Sequence, residues 1–265
     1  MAGRFYPDDP QSLRALIAGL LDDAAAPPVA ARGGIVPHAA LQYSGACAAH
    51  VFARLSVPPL VVLIAPNHTG RLGAGGGVSG WMRGAFATPL GNVPVDAAFM
   101  ARLERQGGAV AHDPAAHAAE HAVEVLLPFL QVAAPAAAIA PLVLAFDDWA
   151  ACERLAGALA DAIAAWPSAV LLLASSDMTH YESAAAAARK DREVLASVER
   201  LDGRGVLEAC RRQHVTMCGR APAAVVLEAT RRLGAERAEV VDYRHSGWVT
   251  GDEQSVVSYA GVLIS

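Results

Sequence analysis

The sequence predicts an α/β fold, a single three-layer α/β/α domain with a mostly parallel or mixed central sheet. Short, wholly apolar runs, such as residues 60–65 and 170–174, are typical of parallel strands buried on both faces. These runs alternate with amphipathic helical patterns, which is the order of βαβ units. The 265 residues are 54% hydrophobic, enough for one large core, and no linker or internal repeat divides them. We therefore predict one domain over residues 1–265.

The first helix is predicted by its start. Asp9 can accept hydrogen bonds from free backbone N–H groups, Pro10 suits the first helical position, and an apolar stripe follows over residues 13–21. Later elements follow from apolar periodicity in the same way. In order, they are a strand at 34–37, a helix from about 43 to 55, a strand at 60–65, short strands at 78–81 and 85–90, helices at 96–106 and 120–131, a strand at 139–144, a helix at 147–165, a strand at 170–174, helices at 184–200, 204–212 and 219–233, and strands at 240–243 and 255–263. The glycines at 75–77 are predicted to lie in a flexible loop.

Composition and charge exclude several classes of function. The formal net charge is -5 and the isoelectric point is about 6.0, which argues against a nucleic-acid or anionic-membrane surface. No apolar run reaches the ~18 residues that a membrane span needs, and the first residues lack the apolar region of a signal peptide. A cytoplasmic location is the expectation.

The four cysteines show neither the density nor the spacing of a disulfide scaffold or a zinc ribbon. Cys47, Cys152 and Cys210 lie among alanines and aliphatic residues, where a cysteine behaves as a small hydrophobic side chain. Cys218 differs, because a glycine and an arginine follow it at the start of a predicted helix. Backbone N–H groups and positive charge at such a position favour the thiolate.

Two histidines end strand motifs that can converge on this cysteine. His38 follows a predicted strand in Val36-Pro37-His38, and His68 follows the next in Ala65-Pro66-Asn67-His68. Two imidazoles and one thiolate suit iron, copper or zinc better than magnesium or calcium. Three protein ligands would leave a position open for substrate, water or dioxygen. The alternative is that each histidine is a hydrogen-bonded structural residue.

Two further histidines have polar neighbours. His121 and Glu124 lie one turn apart on the predicted helix, either paired at its surface or buried with partners. His180 ends a polar run after an apolar strand and is the best candidate acid–base, with Asp177 or Ser176 placed to fix its tautomer. The alternative for that run is that it satisfies backbone groups and caps the next helix.

The motifs of the chain form a recognisable succession. In order they are Ala2-Gly3-Arg4-Phe5-Tyr6-Pro7, Val36-Pro37-His38-Ala39, Tyr43-Ser44-Gly45, Ala65-Pro66-Asn67-His68, Thr88-Pro89-Leu90-Gly91, Glu120-His121-Ala122-Val123-Glu124, Leu127-Pro128-Phe129-Leu130, Ser175-Ser176-Asp177-Met178-Thr179-His180, Cys218-Gly219-Arg220 and Ser255-Val256-Val257-Ser258-Tyr259-Ala260. This succession resembles the Memo family, which in prokaryotes includes proteins called AmmeMemoRadiSam system protein B. The resemblance implies a fold like that of the class III, LigB-type non-haem iron dioxygenases.

The resemblance also implies roles for single residues. By position, His38, His68 and Cys218 match the metal-binding residues of the family, and His121 and His180 match two further histidines of the same cleft, for which we expect catalytic roles. The chain departs from the family pattern at residues 39–42 and at Ala221. The residues expected to contact substrate are Tyr43, Asn67, Glu124, Asp177 and Arg220.

Three classes of function remain open at this stage. The first is a metal-dependent enzyme, with iron or copper favoured and zinc as an alternative, which performs redox or dioxygenase-like chemistry on a small molecule at the carboxyl ends of the strands. The second is a module that binds a metal or a peptide without turnover. The third is a role in a complex with radical SAM and AMMECR-type proteins, which the family name implies.

Overall fold

Four buried apolar runs form the centre of the sheet. In the computed structural model, which describes residues 1–71, 77–106 and 110–265, they are parallel strands. They lie side by side as β1 (Gly33–Val36), β8 (Val170–Ser175), β2 (Leu60–Pro66) and β7 (Ala138–Leu144). Almost every residue in them is buried, as expected for strands covered on both faces.

Antiparallel pairs extend this centre on both sides, so the predicted α/β fold with a mixed sheet is confirmed. The other strands are β3 (Val78–Gly80), β4 (Ala85–Thr88), β5 (Gly91–Pro94), β6 (Val110–His112), β9 (His180–Glu182), β10 (Ala238–His245) and β11 (Val256–Ile264). Within the described residues, the main sheet has nine strands in the order β10-β11-β1-β8-β2-β7-β3-β6, with β9 paired to β11. β11 is antiparallel to β1, and β3 is antiparallel to β7.

Helices cover both faces of the sheet. They are α1 (Pro10–Asp23), α2 (Leu41–Phe52), α3 (Ala97–Arg105), α4 (Pro114–His117), α5 (Leu127–Ala133), α6 (Trp149–Ala164), α7 (Ala184–Glu199), α8 (Gly203–Gln213), α9 (Arg220–Arg232) and α10 (Gly247–Thr250). Two consecutive glycines of β1 show how close the layers are: a Cβ on Gly33 would meet Val226 of α9, and one on Gly34 would lie 3.6 Å from Val51 of α2. These two helices therefore cover opposite faces, α2 with α1 and α5 beside it, and α9 with α6 and α8.

The structure corrects the predicted helix over residues 120–131. A short 3₁₀ turn at Glu124–Leu126 leads into α5 at Leu127–Ala133, and His121 lies in the irregular segment before it. The cause is the carboxylate of Glu120, which accepts a hydrogen bond from the backbone N–H of Ala122 and ties this segment to the loop after β2. The placement of His121 and Glu124 on one helix face was wrong.

Three smaller points concern the middle of the chain. β3 and β4 are short strands as predicted, but β3 joins the main sheet while β4 pairs with β5 in a separate hairpin. β5, β6 and β9 were not predicted. Of the glycines at 75–77, the first two lie outside the described residues.

Among the described residues, no helix has the length and apolar character to cross a bilayer.

Candidate metal centre

The carboxyl ends of three neighbouring parallel strands bring the first two histidines together. β8 lies between β1 and β2, so the loops after these strands meet at one edge of the sheet. His38 is placed by β1 and His68 by β2, and their ring centroids are 5.1 Å apart. Open α/β sheets place their ligand sites at this edge.

His38 is held with the lone pair of one ring nitrogen directed at Cys218. Its Nδ1 lies 2.7 Å from Oγ of Ser175, and that hydroxyl donates to the carbonyl of Ala122 at 2.6 Å. Because the hydroxyl proton is used on Ala122, the Ser175 oxygen accepts from Nδ1–H, and Nε2 of His38 keeps its lone pair. Nε2 is 3.3 Å from Sγ of Cys218.

His68 is oriented by Glu120, a residue that the sequence analysis missed. Oε1 of Glu120 lies 2.9 Å from Nδ1 of His68, and Oε2 accepts from the His68 backbone N–H at 2.6 Å. A carboxylate that accepts from Nδ1–H of an imidazole fixes the tautomer of the ring. The lone pair of Nε2 is then available to a metal ion, and the carboxylate raises the basicity of that nitrogen. The sequence feature that could have identified Glu120 is its position directly before His121 in an apolar segment. An acidic residue in such a segment is expected to be buried, and a buried acid requires hydrogen-bond partners.

His121 completes a group of three imidazoles. Its Nδ1 lies 3.4 Å from the same Glu120 oxygen, and its ring stacks between Phe5 and His68 with centroid distances of 4.5 and 4.6 Å. One donor nitrogen from each of His38, His68 and His121 lies within 4.8 Å of the other two. Such a group could hold a metal ion.

Burial keeps two of these rings neutral. Burial first, and then the neighbouring imidazoles, lower the pKa of His38 to about 3 and that of His121 to about 4. Burial alone would raise the pKa of Glu120, but hydrogen bonds from His68 and Ala122 outweigh it and lower the pKa to about 2. At neutral pH the site therefore presents two neutral imidazoles, those of His38 and His121, near an ionised carboxylate.

Cys218 lies beside His38, before the start of α9. Its Sγ accepts from the backbone N–H of Asp177 at 3.2 Å. Burial raises the pKa of the thiol, and the Asp177 carboxylate raises it further, against hydrogen bonds from Asp177 and Gly219 that lower it. The expectation that the helix start favours the thiolate was therefore wrong, because loss of solvation outweighs the helix N-terminus.

Asp177 and His180 follow β8 near the same edge. Oδ1 of Asp177 accepts from the backbone N–H groups of His38 at 2.8 Å and Ala39 at 3.3 Å, and burial raises its pKa. Nδ1 of His180 is buried without a hydrogen-bond partner among the described residues, so neither Asp177 nor Ser176 fixes its tautomer. Helix α7 is capped by Ser183 and not by this run.

A cleft of about 580 Å³ opens next to His68 and Cys218. Two of the residues expected to contact substrate, Asn67 and Arg220, line it. Arg220 pairs with Asp147, which the sequence analysis did not single out, at 2.5 Å. The apolar part of the wall includes Pro66, Leu144, Phe146, Met217, Ala221 and Pro222.

Glu124, Tyr43 and Asp177 are not among the residues that line this cleft. Glu124 accepts a short hydrogen bond from the hydroxyl of Tyr6, and Tyr43 is half-buried on α2. A larger cavity of about 780 Å³ lies near the amino ends of β1 and β8, and no histidine or cysteine lines it.

Comparisons with known proteins agree with this architecture. The family model described as "Memo-like protein" matches residues 1–263. A MEMO1 family protein of Methanopyrus kandleri is 37% identical over 276 residues, covering 99% of this chain and 96% of its own length. One of Aquifex aeolicus is 35% identical over 264 residues, covering 99% and 97%.

A solved structure shows the fold independently. The crystal structure of an uncharacterized protein from Escherichia coli K12 superimposes with a TM-score of 0.52 at 16% identity, covering 88% of this chain and 99% of that one. At this identity the likeness concerns the fold alone. The whole-length family match and the identity to curated relatives carry the assignment: the chain belongs to the family of Memo-like proteins.

Proposed function

We propose that this protein binds one transition-metal ion through Nε2 of His38, His68 and His121, with Sγ of Cys218 at its side, and performs redox chemistry on a small molecule. The observation that carries this is the group of three imidazole nitrogens within 4.8 Å of one another. Because Ser175 and Glu120 engage the Nδ1 atoms of His38 and His68, the Nε2 atoms are left to bind the ion.

The distances fit an ion. Two nitrogens bound to one metal at about 2.0–2.1 Å each are at most about 4.2 Å apart, so rings within 4.8 Å reach this range by moving less than about 1 Å. A nitrogen and a sulfur bound tetrahedrally at about 2.1 and 2.3 Å are separated by about 3.6 Å. The 3.3 Å between Nε2 of His38 and Sγ of Cys218 is close to this value.

The donor set favours iron or copper, with zinc as an alternative. Imidazole suits all three metals, and a thiol disfavours magnesium and calcium. When bound, iron or copper would supply electron transfer to or from a substrate or dioxygen. The family resemblance implies a catalytic role for His121, but its short distance to the other imidazoles leads us to propose a ligand role instead.

The protein groups would do the remaining work. The cleft beside His68 and Cys218 would hold the substrate against its apolar wall, with Arg220 and Asn67 as polar contacts. His180 would donate or accept a proton, because its buried Nδ1 is without a hydrogen-bond partner in the described part of the chain and an imidazole can act as either donor or acceptor.

Elemental analysis and oxygen uptake test the proposal together. Protein purified anaerobically should hold about one iron or copper per chain, and His68→Ala should lose it. His180→Ala should keep the metal but abolish any oxygen uptake measured with catechols or reductants as candidate substrates.

Two results would contradict the proposal. A wild-type chain that binds no transition metal after loading with Fe(II), Cu(I) or Zn(II) would exclude the metal site. A metal-bound chain that is inert across the panel would favour the module without turnover, and binding assays with radical SAM and AMMECR-type proteins would then test the proposed complex.

A further inference from the structure

We propose that Asp191 is a positioning residue that holds the segment 177–180 in the arrangement required by the metal centre. The proposal rests on the metal site of the proposed function and deepens it. Asp191 lies in α7, is not hydrogen-bonded to any of the three imidazoles, and was not indicated by any motif of the sequence.

Asp191 is fully buried and is surrounded by hydroxyl groups. Its Oδ1 accepts from Thr179 at 2.6 Å, and its Oδ2 accepts from Tyr243 at 2.8 Å and from Ser258 at 2.5 Å. Among the described residues, no arginine, lysine or histidine forms an ion pair with it. A buried carboxylate without a cation is costly, so the three hydroxyl donors must compensate for its lost solvation.

The three donors belong to different parts of the fold. Tyr243 is on β10, Ser258 is on β11, and Thr179 is in the segment that follows β8. One carboxylate therefore joins α7, the antiparallel side of the sheet and the site segment.

The carboxylate also sets the direction of a second contact. Because the hydroxyl of Ser258 donates to Asp191, its oxygen is free to accept from the backbone N–H of Thr179 at 3.0 Å. The backbone N–H of Ser258 donates in turn to the carbonyl of Thr179 at 2.9 Å. Thr179 is thus fixed through its side chain, its N–H and its carbonyl, and Asp191 orients two of these contacts.

The position of Thr179 connects this network to the metal centre. Two residues before it, Asp177 donates its N–H to Sγ of Cys218 and accepts from the N–H of His38. The next residue is His180, the proposed acid–base. A rotation at Thr179 would move the contacts that place a thiol, an imidazole and an acid–base together.

The test compares variants that cut different links. Thr179→Val removes the hydroxyl link to the segment at almost constant shape, and Thr179→Ser retains the hydroxyl. Tyr243→Phe is the matched control, because it removes a donor to the same carboxylate without touching the segment. Asp191→Asn is the direct variant; the Thr179 pair decides the matter if that variant does not fold.

Each variant is titrated with Co(II), followed by the thiolate-to-cobalt absorption. Thr179→Val should bind Co(II) at least about 10-fold more weakly and lose part of this absorption, at the low end of the range for losing support behind a metal ligand. Thr179→Ser and Tyr243→Phe should stay within about 2-fold of wild type. Wild-type behaviour of Thr179→Val, or an equal loss in Tyr243→Phe, would overturn the positioning role.

The amide NMR signals of His38 and Asp177, recorded without metal, separate this inference from the proposed function. They report the two hydrogen bonds made by Asp177, and they should shift in Thr179→Val but not in Tyr243→Phe. If wild type binds no Co(II) yet these signals shift as expected, the metal proposal fails and the positioning role stands. If they do not shift, the positioning role fails.

Discussion

Replacing Glu120 by glutamine should weaken metal binding strongly, because one carboxylate supports two of the three imidazoles. Glu120 accepts from Nδ1 and from the backbone N–H of His68 and from the backbone N–H of Ala122, and it also lies 3.4 Å from Nδ1 of His121. Glutamine is close in shape but has only one carbonyl oxygen. Its NH₂ group would face N–H groups that also donate, so one ring or the segment after residue 120 has to turn away.

The expected magnitude follows from this count. Loss of one partner behind a metal-bound histidine typically costs about 10–100-fold in affinity. Since Glu120 serves both His68 and His121, we expect a loss near 100-fold, which corresponds to about 2.7 kcal/mol.

Zn(II) or Co(II) affinity, measured by competition with a chelator, is the main assay. Long-range proton–nitrogen NMR of His68 is the second, because it reports which ring nitrogen carries the proton. Glu228→Gln is the control: Glu228 is also a buried carboxylate that accepts several hydrogen bonds, but its partners are Arg231 and Arg232 on α9. The metal affinity of the Glu228→Gln variant should stay within about 2-fold of wild type.

The reasoning is refuted if Glu120→Gln binds metal as tightly as wild type while the proton of His68 remains on Nδ1. It is also refuted if Glu228→Gln loses as much affinity, since the effect would then reflect general loss of stability.

The remaining predictions concern the thiol, a close contact and pH. Alkylation of metal-free protein should modify Cys218 before the other three cysteines, which are at most 2% exposed, and bound metal should slow it; equal labelling of all four would contradict this. Gly219→Ala should lower the free energy of unfolding in urea by about 1–3 kcal/mol, because an added Cβ would lie 2.3 Å from the carbonyl oxygen of Ser175, whereas Gly19→Ala on an exposed helix face should not destabilise the protein. Burial raises the pKa of Asp191, so the contribution of this group to stability is greatest below the unfolded-state pKa of about 4 and is lost as pH rises; the stability deficit of Asp191→Asn should therefore shrink as pH rises above about 4 in urea titrations. Burial raises the pKa of Glu228, but its arginine partners outweigh burial and hold the pKa below its usual value. The stability deficit of Glu228→Gln should therefore grow as pH rises and become constant above the unfolded-state pKa of about 4; parallel pH curves for the two variants would show that these carboxyl groups do not titrate as described.

Local patterns were sufficient for most of the fold. Residues that are near in sequence stabilise several of these elements. Examples are the cap at Asp9, the buried runs of β2 and β8, and the apolar residues of α9, so hydrophobic periodicity predicted the bounds of these elements to within a few residues. The segment 120–126 did not follow its pattern, because Glu120 bonds to a loop 52 residues away and takes over backbone contacts that a helix would otherwise make.

The sequence alone determined which chemistry the site contains. Histidines at two strand ends and a cysteine before a helix are a property of the chain order, and parallel strands place such ends at one edge. It also determined the family, because that depends on motifs in order along the chain.

Only the tertiary structure decided which groups act together and in what state. Glu120 reaches both His68 and His121, and Asp191 reaches Thr179 from a helix, through contacts that depend on the packing of distant segments and leave no spacing to recognise. The protonation of Cys218 is decided there too, because burial, which no local sequence pattern reports, outweighs the helix start that the sequence shows.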